Sequence, residues 1–171
     1  MLYRYMRRHI ILTILLFPAF SQAAFSMQLS PESKISLLTC DPGNQMYTMF
    51  GHSAIRVFDP VYNIDEVYNY GTFNFNTPYF YMKFIRGKLK YKLSIARYGD
   101  FLKEYHFYQE SVYEQVLNLT HDEKIRTYNF LKKNYLPENR YYLYDFYFDN
   151  CATRIRDVFE HILKDKLVFI E

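Results

Sequence analysis

Leu89, Tyr91, Leu93 and Ile95 alternate strictly with Lys88, Lys90, Lys92 and Ser94. Strand side chains point to opposite faces with a period of two, so this stretch predicts a strand with one face in a core and the other in water. Shorter apolar runs precede it, each closed by turn chemistry. The first, residues 34–40, ends at Asp41-Pro42-Gly43, whose Pro-Gly pair predicts a type II turn. The second, 52–58, ends at Asp59-Pro60, and the third, 66–70, at Gly71. Helical signals are mixed with these strands. Thr77 is expected to cap a helix over 77–86, with Pro78 at its first position and Gly87 past its end. Residues 100–109 predict a short helix and 112–119 another strand. Thr120 and Glu123 form a capping box for a helix reaching about Tyr135. The box explains Thr120 better than the sequon Asn118-Leu119-Thr120 does, because it also explains Glu123. After an extended aromatic run, 141–148, Cys151 opens a last helix with Ile155, Val158 and Ile162 at helical spacing. Several strands run consecutively, which predicts an α+β domain rather than a doubly wound sheet.

The amino-terminal segment sets the destination. Arg4, Arg7 and Arg8 precede an apolar run over 10–20, and Ser21-Gln22-Ala23 follows with small residues at the cleavage positions. This is the pattern of a signal peptide over 1–23, and the run is short of the ~20 residues a spanning helix needs. The chain carries 21 basic and 18 acidic residues, a formal charge of +3. Those three arginines account for the whole excess, so the remaining domain, 24–171, is neutral and gives no charge argument for nucleic-acid binding. With half its residues hydrophobic and a fifth aromatic, it has ample material for one core. No repeat or linker divides it. The apolar ending Leu167-Val168-Phe169-Ile170-Glu171 lacks a closing turn, as expected of a chain that continues into a further segment.

Metal and phosphate signatures are missing: there is no glycine-rich phosphate loop, no H-E-x-x-H and no paired C-x-x-C, so neither a metal nor a cofactor is expected. His106, His121 and His161 fall among charged neighbours on predicted helices and read as solvated polar residues. Cys151 differs. Asn150 before it is a good N-cap, which puts the thiol in the first turn of a helix, where the dipole and free N–H groups favour a thiolate. The same N–H groups can hold an oxyanion. His52 follows Gly51 at the start of a strand. In a regular strand His52 and Ala54 share a face, and the small Ala54 would leave room for a helix end. A thiolate activated by such a histidine is the nucleophilic pair of a cysteine hydrolase. From the residues alone three uses of Cys151 stay open: nucleophile, inert core residue, or disulfide partner of Cys40 in an oxidising compartment.

Four stretches, ISLLTCDPGNQMYTMFGHSAIRV, DEVYNYGTFNFNTPYFYMKFIRGKL, EQVLNLT and LPENRYYLYDFYFDNCATRIRD, together resemble the Lnb N-terminal periplasmic domain, a bacterial family, over roughly 34–160. The order of G-H-S on a strand and N-C at a helix start also resembles circularly permuted NlpC-type papain-like hydrolases, including relatives of lecithin:retinol acyltransferase. The resemblance implies a papain-like antiparallel sheet packed against helices, with Cys151 as nucleophile and His52 as base. It implies a third polar group on the strand after the histidine. Asn69 is the expected residue, with Asp65 or Glu66 as alternatives if the register differs. It also implies a periplasmic location and a peptidoglycan or lipid substrate. The competing expectation is a non-catalytic binding or regulatory domain, membrane-associated through a segment beyond residue 171.

The remaining features have plainer readings. Arg56 is expected to form a structural ion pair rather than a substrate contact. Lys88, Lys90 and Lys92 read as a solvated edge rather than a contact for an anionic surface. The run 141–148 is expected to pack in the core beside the last helix, with glycan stacking as the lesser alternative.

Overall fold

A computed structural model of the chain describes residues 28–45 and 48–168. The signal-peptide expectation therefore lies outside the described residues. Six strands form one antiparallel sheet: β1 (Lys34–Cys40), β2 (His52–Asp59), β3 (Ile64–Thr72), β4 (Lys90–Arg97), β5 (Val112–Val116) and β6 (Tyr141–Leu143), in the order β5-β1-β2-β3-β4-β6. The helices are α1 (Phe80–Ile85), α2 (Tyr98–Phe107), α3 (His121–Tyr135) and α4 (Cys151–Leu163), followed by a 3-10 turn, Lys164–Lys166. The architecture is the α+β arrangement expected.

Alternation along the strands sorts the core into two layers. Ile35, Ile55, Val57, Tyr68 and Leu93 face α3 and α4, where Tyr128, Leu131, Ile155, Val158 and Phe159 meet them. Leu38, Cys40, Ala54 and Val67 face the opposite way and pack on Phe101 of α2. Burying each large apolar side chain contributes about 1.5–3 kcal/mol, which is why the pleat holds its register. On α4, Ile155, Val158, Phe159 and Ile162 form the buried stripe, so the first turn of that helix sits at the end of the sheet.

Several local expectations are corrected. Gly43 does not have the positive φ that a type II turn requires, and β1 ends without one. Thr77 does not cap a helix: its hydroxyl and N–H both bond the Asn74 carbonyl, at 2.7 and 3.1 Å, and this tight turn postpones the helix. α1 starts at Phe80, after Tyr79 in the left-handed region, so Pro78 precedes the helix instead of opening it. Gly71 does not close β3. The strand runs on to Thr72 through an irregular register between Asn69 and Thr72, with Gly71 at φ +95°. The run 141–148 is only partly core: Tyr142 and Tyr144 pack against Phe80 and Tyr91, while Phe146, Tyr147 and Phe148 are exposed. Ala54 makes no room for α4, because it faces α2.

Candidate active site

α4 begins with a complete capping box. Asn150 Oδ1 accepts from the Thr153 N–H at 2.9 Å, and Thr153 Oγ1 accepts from the Asn150 N–H at 2.8 Å. The bidentate pair of Asp149 with Arg154 ties the preceding residue to the next turn. Together these contacts fix Cys151 at the first helical position, where backbone N–H groups are unsatisfied.

Across from it lies the start of β2. Gly51 has φ +72°, and a Cβ there would come within 2.8 Å of the Cys40 carbonyl, so only glycine lets the chain enter β2 this close to β1. His52 then pairs with Cys40 in the ladder, and its Nε2 lies 2.6 Å from Asn69 Oδ1 on β3. With Nε2–H given to the amide oxygen, Nδ1 is left for the hydrogen bond with the Cys151 thiol. The three side chains that sequence and resemblance singled out are thus brought together. Asp65 and Glu66 are not at the ring: Asp65 accepts from Arg56, and Glu66 accepts from Lys132 and Tyr68.

Charge in the site follows from these contacts. Burial pushes the Cys151 thiol up, but the hydrogen bond and charge of His52, with the N–H groups of Ser53 and Ala152, outweigh it and hold the thiol below its ordinary value. Burial likewise opposes protonation of His52, yet the Cys151 partner, Asn69 and the charge of Glu104 raise it. Both shifts favour a thiolate–imidazolium pair. Cys40 is the contrast: burial pushes its thiol up to about 11, against a hydrogen bond to Tyr105. Both cysteines are free thiols.

Two clefts of about 220 Å³ each meet at His52. One holds Cys151 and is walled by Met49, Phe50, Phe73, Phe84, Tyr144 and Phe146. The other carries Asp41, Glu104 and Glu110. Gly71 lies where both meet, and a Cβ there would sit 3.7 Å from His52 Cε1 and 3.8 Å from Cys151 Cβ. The aromatic wall and the Ser53 N–H were missed in the sequence, since an apolar residue reads the same in a core as in a cleft and a backbone donor leaves no mark. Gly71 beside a strand pattern was the one available signal. Arg56 lies away from both clefts. It pairs with Asp65 at 2.7 Å and Glu114 at 3.0 Å over the Tyr98 ring, a structural role. Among the described residues no group of three or more His, Cys, Asp or Glu is placed to hold a metal ion.

Fold and site together define an α+β domain with a Cys–His–Asn constellation at the end of an antiparallel sheet. The chain belongs to the Lnb N-terminal periplasmic domain family, whose sequence model matches residues 21–168. That family assignment places the domain in the periplasm. Comparison with curated proteins and with solved structures returns no match.

Proposed function

We propose that the domain is a thiol hydrolase or acyltransferase of the cell envelope, papain-like and of the permuted type in which the base precedes the nucleophile. The observation that carries this reading is geometric: Cys151 at the start of α4 lines one cleft with His52, whose Nε2 is held by Asn69 on the neighbouring strand. In the proposed reaction the Cys151 thiolate attacks the carbonyl carbon of an amide or ester, and the carbonyl π pair moves to oxygen. Backbone N–H groups at the helix start hold that oxyanion. As the carbon–nitrogen or carbon–oxygen bond breaks, the His52 imidazolium gives its proton to the departing amine or alcohol. The products of this half are an acyl-thioester on Cys151 and a neutral imidazole. Water or a second acceptor then loses a proton to His52, attacks the thioester carbon and releases the thiolate. Asn69 keeps the ring turned so that one nitrogen faces sulfur throughout.

Peptidoglycan peptides and lipids are the substrate classes of this reading. The test is product release from purified muropeptides and from phospholipid vesicles, each incubated with wild type and with Cys151→Ala. Release by wild type alone supports the proposal. Equal release by both overturns Cys151 as the nucleophile, and binding without turnover by wild type assigns the domain a non-catalytic binding role instead.

A further inference from the structure

The aromatic wall of the Cys151 cleft continues outward as an exposed rim. α1 turns Phe80 and Phe84 inward, where Phe80 lies 5.5 Å from Phe73 and 6.1 Å from Phe84. Its outer side presents Tyr79, Tyr81, Met82 and Ile85, of which Tyr79 is 81% and Ile85 77% exposed. On the other side of the cleft, Phe146 meets Phe50 at 4.5 Å, and Tyr147 and Phe148 stand clear of the body, Phe148 at 82% exposure. This second part of the rim is held in place. Asp145 and Asp149 exchange two backbone hydrogen bonds of 3.0 Å, and Asp145 Oδ1 accepts from the N–H groups of Tyr147 and Phe148 at 2.9 Å. The fold therefore spends a tight, hydrogen-bonded loop on holding large apolar side chains in water, against the usual economy of a surface.

Charge on the α1 side of the rim is one-sided, while the loop side carries the Asp145 carboxylate turned onto its own backbone. No Asp or Glu occurs from residue 67 to 99, in a domain whose charges balance only when this stretch is counted. Lys83 lies on α1, with Arg86 and Lys88 just after it, and none of the three has an ion-pair partner among the described residues. Tyrosines and phenylalanines flanked by unpaired cations are the composition of a surface that sits at the headgroup level of an anionic bilayer. α1 has six residues, far too few to span, so the contact lies in the interface.

We propose that this rim, α1 with the 146–148 loop, is a docking surface for an anionic phospholipid bilayer, and that it brings the mouth of the Cys151 cleft to the membrane. The docking claim is independent of catalysis by Cys151. Because the chain contains no tryptophan, Tyr81→Trp gives a single reporter on the rim, and Tyr113→Trp gives a control on the exposed β5 strand. With phosphatidylglycerol–phosphatidylethanolamine vesicles, emission of the Tyr81→Trp chain should shift to the blue and be quenched by brominated acyl chains. Tyr113→Trp should do neither. Phosphatidylcholine vesicles should bind far less. Replacing Lys83, Arg86 and Lys88 together by Gln in the Tyr81→Trp background should weaken partitioning by about 100-fold, as expected for three cations near an anionic surface. Cys151→Ala should leave partitioning unchanged, which keeps this result separate from that of the catalytic test. Emission of Tyr81→Trp that ignores vesicles overturns the proposal, as does binding indifferent to lipid charge. So does a vesicle-independent change of oligomeric state on Tyr81→Ser with Ile85→Ser, which would assign the rim to a second copy.

Discussion

Replacing His52 by Ala should slow the reaction of Cys151 with a small neutral disulfide near pH 7, and speed it at high pH. In the folded domain the thiolate is served by the His52 ring and by the N–H groups of Ser53 and Ala152. The substitution removes the one charged donor and leaves the two backbone donors, so burial gains the upper hand and the thiol rises. A hydrogen bond to a charged group contributes about 1.5–3 kcal/mol, which corresponds to a roughly 10- to 150-fold smaller thiolate fraction. The more basic thiolate that remains is intrinsically more nucleophilic, with a Brønsted slope of about 0.4–0.5, so roughly half of that factor on a logarithmic scale is returned. The expected loss near neutral pH is therefore about 4- to 15-fold. Where both thiols are ionised, the variant should be the faster. The assay is stopped-flow reaction with 4,4′-dithiodipyridine across pH, with peptide mapping to assign the site. Cys40, buried and pushed up to about 11, is the internal control and should stay silent at pH 7. Identical pH profiles for wild type and variant, or Cys40 reacting alongside Cys151, would refute the reasoning.

Three further outcomes follow from particular contacts. Gly71→Ala fits the space beside His52 and Cys151 but not the φ of +95°, so it should cost about 1–3 kcal/mol in urea unfolding. Asn150→Ala removes the acceptor of the Thr153 N–H and should cost about 1 kcal/mol, with Asn150→Asp close to wild type. Lys166, followed by the Thr120 N–H and hydroxyl, holds the Glu123 carboxyl at about 2. Its folded value is depressed, so the stability it contributes is present above ~4.3 and is lost as pH falls toward 2. Melting temperatures across that range should fall less steeply for Glu123→Gln than for wild type.

How much of this was legible beforehand depended on whether the cause is local. β1, the start of β2, the half-buried β4, the capping box of α3 and the Asn150 cap of α4 rest on side chains a few residues apart, and the chain shows them directly. α1 was misplaced because the Asn74 carbonyl competes for the Thr77 donors, a choice that propensity does not reveal. Ala54 faces the α2 layer and Phe101 because the layer that a strand face meets is decided by which helix packs there, and the chain around Ala54 does not show that. Cys151 and His52 could be chosen from their local chemistry. Asn69 needed the family resemblance, because nothing around it in the chain marks it. The aromatic residues at 146–148 were read as core since composition cannot say which rings a turn will turn outward; Asp145 decides that through two backbone hydrogen bonds.

The most direct test of the central claim is intact-protein mass spectrometry after brief exposure to an activated acyl ester, quenched in acid. A single acyl adduct should appear on wild type, map to Cys151 and be cleared by hydroxylamine. Cys151→Ser should carry none, and His52→Ala should accumulate it more slowly at neutral pH. An adduct that is absent from wild type, or that forms equally in Cys151→Ser, would contradict the account.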